Sequence, residues 1–254
     1  MFGLFGKSTF LEKELEAWSL ETWAWFMQNL GGVARLKARP LVLPSKDFYP
    51  PTDAEGAERG RYVFDRTMAL MGIGDWSCRL ESYERIPANQ RVAQYNFVRS
   101  PAQPNGTFRV EDGQAVISYA LDLVEAPGHL IATLAHELSH YMIACIRKPI
   151  PGGSKVHELT TELGVAYAGF GVFGANHAFS FEQHQDTWGQ GWSSRRSGYF
   201  SERTWAFCLA VFAALRDEEP PLAQLKPSVA DLTKAAARYL KRRPELLEPL
   251  RQIA

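Results

Sequence analysis

The chain reads as an α+β fold that is mostly helical, and three observations lead there. Apolar residues recur at three- and four-residue intervals from Thr9 to Met71 and again from Pro127 to the C-terminus, the period of an amphipathic helix. Between these stretches lie short runs in which apolar and polar residues alternate, the period of a half-buried strand. Glycine and proline punctuate the joins. The expectation is a small mixed or antiparallel sheet between helical flanks, with a helical C-terminal portion.

The elements follow in order. Thr9 with Glu12 has the pattern of a capping box for a helix through Leu15, Trp18, Trp25, Phe26 and Leu30, which Gly31-Gly32 ends. Asp53 is placed to cap a second helix that runs to about Met71 and stops at Gly72. Strand-like alternation follows at Cys78 to Tyr83, Val92 to Val98, Phe108 to Val110 and Ala115 to Tyr119, with Asp112-Gly113 as a hairpin turn. Val116 to Tyr119 is read as the edge strand, to which an extended peptide could add. Pro127-Gly128 starts a helix with apolar positions at Leu130, Ile131, Leu134, Leu138, Tyr141, Met142 and Cys145, and Pro149 forbids its continuation.

Lys148 to Ser154 is a Pro- and Gly-rich loop, after which a second apolar helical run opens at His157. Residues 163 to 181 hold no charge, and the strictly apolar part, Leu163 to Ala175, reads as one buried core helix, because thirteen residues fall short of the roughly twenty that span a membrane. The G-x-G-x-x-G at Gly169 to Gly174 follows a helix rather than a strand, so it reads as a thin surface that lets neighbours approach, not as a phosphate loop. Asn176 to Phe200 is a long aromatic, Gly-containing loop suited to a lid. Everything after Ser201 reads helical, with Ser201 and Ser228 as caps and Pro220-Pro221 and Pro244 as breaks.

One segment names a chemistry. His136-Glu137-Leu138-Ser139-His140 is an H-E-x-x-H sequence on the helix that starts at Pro127, beside which the sheet is expected. Residues four apart share a helix face, so both imidazoles can hold one metal ion while Glu137 points toward its open position. With six His and nineteen Glu in 254 residues, an accidental match anywhere has a chance of about one per cent. Downstream, Glu158 and Glu162 in His157-Glu158-Leu159-Thr160-Thr161-Glu162 are also four apart, and an antiparallel helix pair would set them against the histidines. Either could reach the metal. Glu158 is favoured as ligand and Glu162 as the outer acceptor that orients a ligating imidazole, although two acids in a first turn are also what the helix dipole favours without any metal. His157 is an alternative ligand by type, but it would face about 100° away from Glu158, which favours capping its helix or meeting solvent.

HELSH followed by ELTTEL resembles the gluzincin zinc metallopeptidases, which pair H-E-x-x-H with a downstream E-x-x-x-D or E-x-x-x-E helix. More narrowly, HELSHYM, ELTTELGVAYAGFGVFGAN and GYFSERTWAF resemble an uncharacterised bacterial group of zincin-like proteins, over about residues 127 to 210. The resemblance implies a zincin-like fold, zinc held by His136, His140 and Glu158, Glu137 as general base and Glu162 outside the ligands. The gap before Glu158 is slightly short for the best-known gluzincins, and Glu162 stands where Asp is commoner. No exopeptidase amine-anchoring motif is present. A metzincin would need Gly and His where this chain has Ile143 and Ile146. Residues 1–126 are taken as an N-terminal helical and β lobe and 127–254 as a helical lobe, together one catalytic domain.

The expected activity is hydrolysis of a peptide or protein substrate: zinc lowers the pKa of bound water to about 7 and Glu137 takes its proton. Tyr199 and His177 are candidates for steadying the oxyanion, and Arg195 and Arg196 for holding a substrate carboxylate. His129, His177 and His184 otherwise read as surface residues rather than ligands. The rival reading is a zincin-shaped interaction or regulatory protein whose metal site is structural or vestigial and whose helical ends bind a protein partner.

Composition excludes other classes. Lys+Arg and Asp+Glu are both 28 and the net charge is zero, with no long basic stripe, so nucleic acid is not an expected partner. Lys241-Arg242-Arg243 fits the C-terminal end of a helix dipole. Cys78, Cys145 and Cys208, odd in number and in apolar surroundings, read as reduced core thiols. The N-terminus lacks a secretory pattern, which points to a cytoplasmic protein.

Overall fold

The computed structural model of the chain describes residues 8–85, 103–182 and 200–254. The first helices are α1 (Lys13–Asn29), α2 (Gly32–Ala38) and α3 (Gly56–Leu70). Glu12 stands at the N-cap of α1 without a side-chain cap bond. Glu16 replaces the expected Thr9/Glu12 box: its Oε2 accepts the backbone N–H of Phe10 at 2.8 Å and of Leu11 at 3.2 Å, while Oε1 accepts the Tyr239 hydroxyl at 2.6 Å. A buried carboxylate must find that many donors, and only a residue facing the C-terminal part of the chain can. Asp53 likewise does not cap α3, whose N-cap is Glu55.

The sheet has three strands, β1 (Cys78–Tyr83), β2 (Gly106–Glu111) and β3 (Gln114–Ala120), in the order β1-β3-β2. β1 pairs parallel and β2 antiparallel with β3, so the sheet is mixed. Asp112 and Gly113 both have positive φ, 49° and 77°, the requirement of the tight two-residue hairpin turn the sequence predicts. The expected edge strand is corrected here: β3 is central, and β1 and β2 are the edges. Strand order depends on which segments meet from a distance, and alternation within one strand does not carry it. The expected strand at Val92 to Val98 lies outside the described residues.

One face of the sheet is apolar and packs on helices. Tyr119 lies against Gly60 of α3, where an added Cβ would come within 1.8 Å of the phenol oxygen. On the other face Arg79, Glu81, Arg109 and Glu111 bridge across the central strand, with Arg109 to Glu81 at 2.5 Å and Arg79 paired to Glu111. In register between the two arginines, Val116 is buried.

The remaining helices are α4 (Pro127–Ala144), α5 (His157–Tyr167), α6 (Gly171–Glu182), α7 (Glu202–Leu215), α8 (Pro227–Lys241) and α9 (Glu248–Arg251). The single helix expected over Leu163 to Ala175 is two. The chain turns at Gly169, whose φ of 92° and a would-be Cβ 2.0 Å from the Pro40 carbonyl oxygen admit no side chain. The expected loop from Asn176 begins as helix, since α6 continues to Glu182. Ser201 caps α7 by accepting the Thr204 N–H at 3.2 Å. Ser228 does not cap α8, because Lys226 is the N-cap and Pro227 fills the first position; its hydroxyl donates to Glu202 instead.

Helices α1, α4, α5, α6 and α7 enclose a connected core that includes Trp23, Phe26, Leu138, Tyr167, Phe207 and Phe212, all buried. Cys208 belongs to it, whereas Cys78 is half-buried and Cys145 exposed at the end of α4, which corrects the reading of three core thiols. Among the described residues no helix is long and apolar enough to cross a membrane.

Candidate metal centre

Two helices carry the site, and small residues bring them together. An added Cβ on Gly164 of α5 would lie 3.3 Å from Ser139 Cβ on α4 and 3.1 Å from Phe26 Cζ, so any larger residue there would push α5 outward. Gly171 and Gly174 admit Leu209 and Trp205 of α7 in the same way. The loop entering α5 is pinned to α1 by the Trp18 indole N–H, which donates to the Pro151 carbonyl at 3.0 Å. The first turn of α5 is thereby presented to the middle of α4.

Three ligand atoms converge there. His136 Nε2 and His140 Nε2 are 3.1 Å apart, and Glu158 Oε2 lies 3.4 Å from the first and 3.5 Å from the second. Ligand atoms on a tetrahedral zinc with bonds of 2.0 to 2.1 Å stand about 3.3 Å apart, so the triangle has the size zinc requires. Two imidazoles and a carboxylate are also a donor set zinc accepts. Among the described residues no fourth ligand joins the cluster. The His136 and His140 side chains are 6% and 13% exposed, but that of Glu158 is 45% exposed, so the triangle opens to solvent on one side. Three side chains with an open side would leave one position of a bound ion to solvent.

The far nitrogens of both rings face polar neighbours. His136 Nδ1 faces Glu162 Oε1 at 3.1 Å, and Glu162 is buried. His140 Nδ1 faces the buried Thr161 hydroxyl at 3.2 Å. With Glu162 beside Nδ1 of His136 and the Thr161 hydroxyl beside Nδ1 of His140, both Nε2 atoms and a carboxylate oxygen aim at one point, an arrangement that suits a cation or a proton between them. Accordingly, although burial disfavours charge on His136, the carboxylates of Glu158, Glu162 and Glu137 outweigh it and push its pKa up to about 10. Burial acts on Glu158 in the opposite sense to the two imidazoles, and the imidazoles win, holding its carboxyl far below the usual range.

Glu137 sits beside the ligands on α4 and is buried. Burial, reinforced by the charge of Glu158, raises its pKa against the pull of both histidines. The backbone N–H of Phe108 on β2 is turned toward its carboxylate and favours the charged form, and sheet register explains why that group is available. Glu111 and Gln114 flank the two-residue turn as a hydrogen-bonded pair, and pairs alternate from there, so Phe108 opposite Ile117 turns its backbone groups away from β3. The Phe108 ring lies parallel to that of His140, 6.3 Å between centroids and 5° apart in plane. Gly106, two residues earlier on β2, leaves the space that the Glu137 stem fills.

The structure thus gathers His136, His140 and Glu158 with Glu137 beside them, and puts Glu162 behind His136. Between the two acids left open by spacing, it is Glu158 that meets both Nε2 atoms. His177 is elsewhere: it lies in α6 and packs on His129, 4.7 Å between ring centroids, at the start of α4 and about 10 Å along the axis from His136. It is a helix residue beside His129, not a loop residue. Tyr199, His184, Arg195 and Arg196 lie outside the described residues. His157, expected to cap α5 or to meet solvent, stacks on His140 at 5.1 Å and 10°. Sequence reasoning also missed Thr161, Phe108 and Gly106: a threonine in a helix and a glycine in a strand carry no local mark of what faces them.

Comparison of the chain with family models, curated proteins and solved structures finds no match.

Proposed function

We propose that the chain is a zinc-dependent hydrolase, specifically a metallopeptidase of the gluzincin kind suggested by the resemblance of HELSH and ELTTEL to that group. The observation that carries the reading is the triangle of His136, His140 and Glu158 atoms at zinc-like separations, open on one side and flanked by the buried carboxylate of Glu137, on which the charges of both histidines act. His136, His140 and Glu158 would hold the ion. When bound, zinc supplies Lewis acidity toward a water molecule and a substrate carbonyl.

The protein's own groups supply the rest. Glu137 takes a proton on its carboxylate from the attacking water and later gives it to the leaving amine, and its raised pKa suits both steps. The Phe108 N–H nearby favours the charged form of that carboxylate. The β2 edge favours an extended peptide as substrate: by the same alternation that frees Phe108, Val110 turns its backbone groups outward, and its side chain is 60% exposed. A strand added there would run past Glu137. Because β3 is central, this reading takes β2 rather than β3 as the edge for the peptide.

The test combines metal analysis with turnover. Protein purified without chelator should hold one zinc, lost in His140→Ala and retained in Glu137→Gln, and the zinc-loaded wild type should cleave a peptide library that the Glu137→Gln protein leaves intact. Zinc-loaded wild type that cleaves nothing would favour the interaction-protein reading. Full zinc retention in His140→Ala would move the ligands elsewhere.

A further inference from the structure

We infer that Thr161 is a positioning residue for His140: its hydroxyl decides which imidazole nitrogen carries the proton, and through that sets the affinity of the site for zinc. The inference rests on the zinc reading above. Thr161 is completely buried in α5, and its Oγ1 lies 3.0 Å from the His157 carbonyl oxygen one turn earlier and 3.2 Å from His140 Nδ1 on the neighbouring helix.

A hydroxyl has one proton to donate and lone pairs to accept with. The His157 carbonyl can only accept, so the threonine proton goes there. What Oγ1 then turns toward His140 is a lone pair, and the Nδ1 atom must supply the proton for that contact. His140 is thereby fixed as the Nδ1–H tautomer, and its Nε2 lone pair points at His136 Nε2 and Glu158 Oε2. The opposite tautomer would place a proton inside the ligand triangle and leave a buried Nδ1 competing with the His157 carbonyl for one hydroxyl proton. Metal-bound imidazoles generally need this outer contact, and losing it costs about 10- to 100-fold in metal affinity.

Charge explains why the partner is a hydroxyl here and a carboxylate at His136. Glu137, Glu158 and Glu162 already bring three carboxylates to a largely buried site. A fourth behind His140 would exceed the charge of one divalent ion and its proton, and unpaired buried charge is costly. A neutral acceptor that passes its own proton to the backbone orients the ring without adding charge. The parallel rings of Phe108 and His157 limit ring tilt, but neither contact tells one ring nitrogen from the other.

The test is zinc affinity of the full chain, measured by competition with a chromophoric chelator. Thr161→Val keeps the shape and removes the hydroxyl, and should weaken zinc binding by about 10- to 100-fold, whereas Thr161→Ser should stay within about threefold of wild type. A structural role alone would instead lower the thermal midpoint of the metal-free protein for both variants and leave the affinities close. Equal affinity of Thr161→Val and wild type overturns the inference while the metal site stands; no zinc binding by wild type overturns the site reading and this inference with it. Should Thr161→Val fail to fold, long-range ¹H–¹⁵N correlation on zinc-loaded wild type decides: a protonated His140 Nδ1 supports the assignment, and a deprotonated or metal-bound Nδ1 overturns it.

Discussion

Gly106→Ala isolates the general base from the metal. A methyl at this position of β2 would stand 2.7 Å from Thr133 Cγ2, 2.9 Å from Glu137 Cγ and 3.0 Å from the Ser118 carbonyl oxygen, where ordinary contacts begin at 3.4 Å. The carbonyl belongs to the paired central strand and cannot retreat. Relief must come from Thr133 and Glu137, which share one face of α4 four residues apart, and each must move by about 0.5 to 0.7 Å. Overpacking of this kind costs about 1 to 3 kcal/mol. For a chain of this length that is a fall of roughly 2 to 12 °C in thermal midpoint.

The ligand atoms of His136, His140 and Glu158 do not touch Gly106, so zinc affinity should stay within about threefold of wild type. Turnover should fall about 10-fold, because the Glu137 stem must shift by about 0.5 Å and a misplacement of about 1 Å costs about 10²-fold. Calorimetry, chelator competition and peptide cleavage at saturating zinc read the three quantities separately. Zinc affinity falling as far as turnover would refute the reasoning, since β2 would then be spacing the ligands rather than the base. An unchanged thermal midpoint would refute the close approach itself.

Glu137→Gln should retain zinc and lose about 10²- to 10⁴-fold in turnover, measured as cleavage at saturating metal, because the amide cannot take the proton. Glu162→Ala removes the acceptor facing His136 Nδ1 and should weaken zinc binding by about 10- to 100-fold in chelator competition. Zinc binding near neutral pH should release about one proton, read by calorimetry in two buffers of different protonation heat: the metal-free site holds a proton on His136, whose pKa is pushed up to about 10, and the metal must displace it. The sign follows, with apparent affinity rising about tenfold per pH unit toward pH 10 and levelling above it.

The helices that bear the site were legible because their signals are local. Pro127 at the first position of α4, the apolar spacing from Leu130 to Met142 and the i,i+4 pairs His136/His140 and Glu158/Glu162 are read along one stretch of chain, and the helix repeat alone puts each pair on one face. The Asp112-Gly113 turn was legible for a similar reason, as few residues tolerate two successive positive φ values. Where a local signal had a rival from afar, it misled: Glu12 has the spacing of a capping residue, but Glu16 faces Tyr239 and takes the role. Gly169 broke an apolar run because the Pro40 carbonyl occupies the space a side chain would need.

By itself the sequence determined a mostly helical chain with a small sheet, and a set of histidines and glutamates at metal-ligand spacing. Only the tertiary structure decided that Glu158 rather than Glu162 meets both imidazoles, that β2 rather than β3 borders the site, and that Thr161 stands behind His140. Periodicity states which residues share a face of their own element. The rotation and depth at which two elements meet are set by long-range packing, here by Gly164 against Ser139 and Gly106 against Glu137, and that packing is written in no single stretch of the chain.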